Sequence, residues 1–168
     1  MERIERILTH PVFIECMKKN EVADADRCFC HHDIEHLSAV AHIAMLTNME
    51  EGLGIEKDVI YAAALLHDCG RHRQYTEGIE HDIAGAEYAR LILPACGYEE
   101  EEVSHIVRAI VSHRGKMSAG DACFVNEKEE NKLAWLIKYA DKMSRNCRFC
   151  KAYDACNWTR EQKSHPFL

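Results

Sequence analysis

The chain has 168 residues and carries 28 acidic against 21 basic side chains, a formal net charge of -7 with histidine neutral. That balance offers no global positive field, so a nucleic-acid polymer is excluded as an expected partner. With 47% hydrophobic and 29% charged residues but only 3 Pro and 8 Gly, the composition suits one folded, helix-rich domain over residues 1–168.

The opening stretch MERIERILTHPVF has no uninterrupted apolar core of the signal-peptide kind. The longest wholly apolar run, Val59 to Leu66, falls far short of the ~20 residues that span a bilayer, so no membrane association is expected. Nine cysteines is an odd number in a chain without an export signal, which points to the cytoplasm and to reduced thiols or metal ligands rather than a disulfide framework. Eleven histidines supply groups that either bind metal or carry protons near neutral pH.

In chain order, residues 3 to 18 predict an N-terminal helix. From Ile34 to Met49 the apolar residues Ile34, Leu37, Ala41, Ala44 and Met45 recur at helical spacing until Gly52 and Gly54 break the pattern. The next helix begins near Glu56 and Asp58, places Ile60, Ala63, Ala64 and His67 on one face, and stops at Gly70. A helix from Asp82 to Leu93 is expected to end at Pro94. Val103, Ile106, Val107, Ile110 and Val111 mark another, ending near His113 to Gly115. The long connection from Gly115 to Asn126 is a candidate lid. The last helix, Glu129 to Arg145, turns Leu133, Leu136, Ile137, Ala140 and Asp141 inward. Strand-like alternation is scarce, and the expected fold is an all-α, compact single-domain bundle of about six to seven helices.

Burying an unpaired carboxylate costs several kcal/mol or forces it to stay protonated, so Asp141 on an apolar stripe requires a cation. His67 and Asp68 lie about 100° apart around a helix and reach one ion together only near the helix end that Gly70 marks. His36 adds an imidazole from the preceding helix. One divalent metal satisfies all four, with four helices lending polar atoms to it, and the mixed N/O set suits Mn, Fe, Co, Ni or Zn.

The segments EHLSAV at 35–40, ALLHDCGR at 64–71 and YADK at 139–142 resemble the H…HD…D signature of the HD-domain phosphohydrolase superfamily, over about residues 30–146. The resemblance implies that His36, His67, Asp68 and Asp141 are metal ligands. It also draws in His81 and His113, where metal-rich members of the superfamily place extra ligands. These two either hold a second ion, bridged to the first through Asp68, or stay unligated and touch a phosphate. The implied reaction is attack of a metal-activated water on phosphorus, with His81 or His113 as general acid.

The chain is locally basic beside these ligands, at Arg71, Arg73, Arg114, Lys116, Lys142 and Arg145. In an acidic protein this favours a small phosphorylated, nucleotide-like substrate, with Arg71 and Arg114 the leading phosphate contacts and Lys116, Lys142 and Arg145 behind them. Phosphomonoesterase, pyrophosphohydrolase and phosphodiesterase chemistries all fit. The rival readings are a metal- or nucleotide-binding regulatory module without turnover, and a di-iron oxygenase. Against the latter, Glu102 to His105 supplies only one of the two E-x-x-H motifs that a bundle di-iron site uses. His10, His42, His72, His105 and His165 read as exposed or capping residues.

Beyond the signature region, Cys147, Cys150 and Cys156 are spaced C-x2-C-x5-C in the tail 147–168, while Cys28 and Cys30 precede the His36 helix. Cys30 with the three tail thiols forms a candidate four-thiolate site for structural zinc or an iron-sulfur cluster, and it would clip the tail to the start of that helix. Cys16, Cys69, Cys96 and Cys123 lack such spacing and read as packing residues.

Overall fold

A computed structural model of the chain describes residues 2–113, 128 and 130–163. Among them are eight α-helices: α1 (Glu2–Thr9), α2 (Pro11–Asp24), α3 (Ile34–Glu50), α4 (Lys57–Leu66), α5 (Arg71–Thr76), α6 (His81–Ala95), α7 (Glu100–Ser112) and α8 (Lys132–Met143), with a 3-10 turn at Cys147–Phe149. No strand occurs among the described residues, and the all-α fold holds. No described helix is long and apolar enough to cross a membrane. The connection expected at 115–126, together with Arg114, Lys116, Cys123 and His165, lies outside the described residues.

Three boundaries differ from the expectation. Pro11, with no N–H to give, divides the N-terminal segment, and His10 caps α2 by accepting from the Val12 N–H at 3.3 Å. A short helix, α5, follows Gly70. Helix α6 runs through Pro94, because in its last turn the missing N–H affects only the carbonyl of exposed Arg90.

Helix α4 is the centre of the bundle. Seven of its ten residues are buried, and α3, α6, α7 and α8 pack around it. The core is aliphatic, with Leu37 and Val40 from α3, Ile60 and Leu66 from α4, Ile92 and Leu93 from α6, Ile106 and Ile110 from α7, and Leu133, Leu136 and Ile137 from α8. Arg3 ties α1 to this body by bonding Asp58 at 3.0 Å and Glu102 at 2.8 Å while lying over the Tyr98 ring.

The turn after α4 meets α6 through glycine. A Cβ on Gly70 would stand 2.6 Å from the Ala84 Cβ and from the Gly85 nitrogen, and one on Gly85 would stand 3.0 Å from the Leu66 and His67 carbonyls. Both absences let the backbones touch, which seats the start of α6 against the end of α4.

Candidate metal centre

The polar residues of the site sit where helices begin or end. Asp33 caps α3, its carboxylate accepting from the His36 N–H at 2.8 Å, so His36 projects from the first turn. His67 is the C-cap of α4 and is fully buried. Asp68 follows in the turn, and Asn20 of α2 holds that turn from below. The Asn20 amide donates to the Asp68 carbonyl at 3.0 Å, while its oxygen accepts from the His72 N–H at 2.8 Å. Asp141 projects from α8, His81 opens α6, and His113 closes α7.

His36, His67, Asp68 and Asp141 converge, with one donor atom from each inside a 4.8 Å group. They come from three helices rather than four, because His67 and Asp68 share the end of α4. His36 Nε2 is 3.2 Å from Asp141 Oδ1 and 3.7 Å from Asp68 Oδ2. His67 Nε2 is 3.3 Å from Asp68 Oδ2 and 3.9 Å from Asp141 Oδ1. Donors held at ~2.1 Å from one ion stand about 3.0–3.4 Å apart along a coordination edge, so these spacings match a metal with modest contraction.

The hydrogen bonds behind the donors favour the same reading. His67 Nδ1 donates to the Ala64 carbonyl at 2.7 Å, and His36 Nδ1 faces Ser144 Oγ at 3.3 Å, whose own proton goes to the Asp141 carbonyl. Both rings therefore turn an Nε2 lone pair inward. The buried Nε2 atoms of His36 and His67 and Oδ1 of Asp68 make no hydrogen bond. Such atoms are rare without an ion or water to satisfy them.

A second group shares Asp68. Its Oδ1 is 3.4 Å from His81 Nε2, which is 3.2 Å from His113 Nε2. His113 Nδ1 donates to the Ile110 carbonyl, and Gln74 Oε1 is placed 2.6 Å away to accept from His81 Nδ1. Arg71 Nη1, 2.7 Å from the same Nδ1, can only donate to it, so Gln74 and Arg71 favour opposite tautomers of His81, and the two Nε2 atoms face each other across 3.2 Å. His81 also belongs to a third group with Glu80 and Asp82, where Glu80 is exposed.

Electrostatics make the centre a sink for positive charge. Burial opposes ionisation of Asp68 and Asp141, yet His67, His36 and, for Asp141, Arg145 outweigh it and hold both carboxyls well below the usual range. Burial likewise opposes charge on His67, but the two carboxylates push it up to about 10. In His113, burial and neighbouring His67 hold the ring neutral. Without metal, one proton on His67 substitutes for part of the missing cation.

Asp68, Asp141, His81 and His113 open on a cavity of about 420 Å³. Arg71 and Arg145 line it. Arg71 Nη1 lies 2.7 Å from His81 Nδ1, and Arg145 Nη2 donates to Asp141 Oδ1 at 2.7 Å. Lys142 is half-buried and does not line the cavity, since its position on α8 turns it away from Asp141. The other walls come from residues that periodicity did not single out: Arg27, Phe29, His32, Tyr153, Trp158 and Lys163. His32 is buried, its Nδ1 donating to Asp24 Oδ2 at 2.9 Å and its Nε2 standing 4.0 Å from Asp68 Oδ2. Burial lowers the pKa of His32 while Asp24 pulls against it.

Three histidines read as exposed or capping behave as expected, His10 capping α2 and His42 and His105 being exposed, but His72 is buried between Asn20 and Tyr88. Glu102 caps α7 and pairs with Arg3, which leaves the lone E-x-x-H without a ligand role. Cys30, Cys147, Cys150 and Cys156 all line the cavity, although no three of their sulfurs fall within the 4.8 Å that groups the His/Asp donors.

Comparison with known proteins agrees with this geometry. A family model described as the HD domain matches residues 33–146. An uncharacterised protein of Clostridium beijerinckii is 41% identical over 98% of this chain and 97% of its own length. YueE of Bacillus subtilis, named as a candidate phosphohydrolase, is 29% identical over 82% of this chain and 73% of its own. The crystal structure of a predicted HD superfamily hydrolase from an uncultured Thermotogales bacterium superposes with a TM-score of 0.60 at 25% identity, covering 97% of this chain and 87% of that one. A bundle whose His36, His67, Asp68 and Asp141 meet at helix ends, within a segment matched along its whole signature, places the chain in the HD-domain family.

Proposed function

We infer that the protein hydrolyses a phosphate ester or anhydride in a small, nucleotide-like molecule. The observation that carries this reading is the pairing of unsatisfied metal-ligand atoms with a cavity lined by both cations and aromatic rings. His36, His67, Asp68 and Asp141 would hold one divalent ion, and Asp68, His81 and His113 a second. Ions bound there lower the pKa of water and offset charge on phosphoryl oxygens.

The chain's own residues do the remainder. Arg71, Arg27 and Lys163 supply the donors that phosphate oxygens require, and Phe29, Tyr153 and Trp158 offer flat apolar surface for a planar base. With the Nε2 atoms of His81 and His113 turned toward Asp68 and each other, ligation suits them better than general-acid work. His32, anchored through Nδ1 to Asp24 and with its pKa lowered by burial, keeps an Nε2 lone pair for the cavity and is placed to accept a proton there.

The test is elemental analysis of protein purified without chelator, followed by phosphate-release assays on nucleotides and sugar phosphates with Mn, Fe, Co, Ni and Mg. His67→Ala and Asp68→Ala should abolish turnover. Nucleotide-induced stabilisation without phosphate release would instead identify a binding module, and dioxygen uptake an oxygenase.

A further inference from the structure

The tail thiols are not consumed by the hydrolytic site. Cys147 sits in the 3-10 turn after α8, with Cys150 and Cys156 in the turns that follow. Cys30 lies far away in sequence, between α2 and α3, yet lines the same cavity as all three. Cys30, Cys147 and Cys150 also line an adjoining smaller cavity, so these thiols form the partition between the two spaces. Cys28 is exposed and lines neither.

We propose that Cys30, Cys147, Cys150 and Cys156 ligate an iron-sulfur cluster that staples the C-terminal tail to the segment preceding α3. The spacing of the sulfurs selects a cluster over a mononuclear ion. Four thiolates on one zinc at ~2.3 Å stand about 3.8 Å apart, whereas no three of these sulfurs lie within 4.8 Å of one another. Iron-sulfur clusters interpose several inorganic atoms between their thiolates and use such four-cysteine sets, including a C-x2-C pair.

The surroundings match the charge. A cluster carried by four thiolates is anionic, and this wall is cationic: the Arg27 Nε donates to the Cys30 carbonyl at 3.0 Å, the Arg145 guanidinium lies beside Cys30, and Lys163 lines the cavity. On assembly each ligating Sγ–H releases its proton to solvent as its Fe–S bond forms, with iron and inorganic sulfide supplied from outside the chain. The iron is supplied in the oxidation states that the cluster holds, so the thiols exchange no electrons. The consequence is that Tyr153 and Trp158, which wall the cavity, are held in place by the cluster.

The experiment is anaerobic purification of the full chain from iron-replete cells, with iron, zinc and acid-labile sulfide measured per chain beside the visible absorption spectrum. Wild-type protein is expected to contain sulfide and a sulfide-to-metal charge-transfer band. Cys150→Ser and Cys156→Ser lose both but keep the metal of the His/Asp centre; Asp68→Ala does the reverse; Cys28→Ser changes neither. Zinc without sulfide in the wild type overturns the proposal, as does sulfide that survives both cysteine substitutions. If the cysteine variants do not fold, the wild-type sulfide content decides alone. Because Asp68→Ala removes only the His/Asp metal, failure here is separable from failure of the hydrolytic reading.

Discussion

Asn20→Ala removes the support beneath the His67–Asp68 turn without touching a proposed ligand. Asn20 is 1% exposed, and its amide bonds the Asp68 carbonyl and the His72 N–H, with His72 Nδ1 a third neighbour at 3.0 Å. Alanine leaves the His72 N–H buried without a partner, at about 1–3 kcal/mol, and takes one of two bonds from the Asp68 carbonyl, which keeps the Arg71 N–H at 3.0 Å, at about 1 kcal/mol, or roughly 2–4 kcal/mol together. In a domain of this size one kcal/mol moves the melting temperature by about 2–4 °C, so Tm should fall by roughly 5–15 °C. Because the turn aims Asp68, metal affinity should fall about 10- to 100-fold, as when an outer-shell partner is lost. Circular dichroism melts of metal-free protein measure the first effect, and competition with a chromophoric chelator measures the second. Asn20→Asp keeps an acceptor for His72 but sets an oxygen against the Asp68 carbonyl, and should lose metal affinity too. A Tm within ~2 °C of wild type together with unchanged metal affinity refutes this account of the turn.

Proton linkage offers a second check. The folded-state pKa of His67 is raised to about 10, so its proton stabilises the metal-free protein fully below about pH 6.5 and that contribution is lost as pH rises through about 10. Metal must displace the proton, so binding at pH 7.5 should release about one proton per ion, read by calorimetry in buffers of different ionisation enthalpy. For Asp68 and Asp141 the folded pKa values are depressed, so their contribution is present above about pH 4 and disappears as acid titrates them. Dialysis against a chelator should lower Tm, and restoring metal at 100 times its Kd should return about 2.7 kcal/mol; Asp68→Ala should abolish that response. Gly70→Ala drives a methyl into the α6 backbone at 2.6 Å and should cost about 1–3 kcal/mol, seen as a lower chemical-denaturation midpoint; an unchanged midpoint would show that α6 yields freely.

The parts of the site legible in the sequence are those whose position follows from helical period. His67 ends an apolar stripe, Asp141 interrupts one, and His36 stands on a third, so their convergence followed from packing three stripes together. His32 and Lys163 escaped because they sit in non-helical segments that have no period to read, and Asn20 and Arg27 because each acts across the fold, on Asp68 and His72 and on Tyr75, at a sequence distance that no local period encodes. His72 looked like an exposed residue for the same reason, since only the Asn20 carboxamide shows why it is buried. The proline signal at 94 was real but overread, because a last-turn proline forfeits little, whereas Pro11 was passed over although it opens α2. Lys142 illustrates the limit of reading charge by proximity in sequence: next to Asp141 along the chain, it faces another way.

The cavity has two kinds of wall under different constraints. One is built from helix ends locked into the bundle by the core and by the Gly70–Gly85 contact, so any change there threatens folding. The other, from Tyr153 to Lys163, consists of turns laid across the opening and answers to few of those constraints. Exchanging this outer segment between relatives should therefore swap which molecules are accepted while the chemistry underneath stays the same, which makes it the natural handle for redirecting the protein.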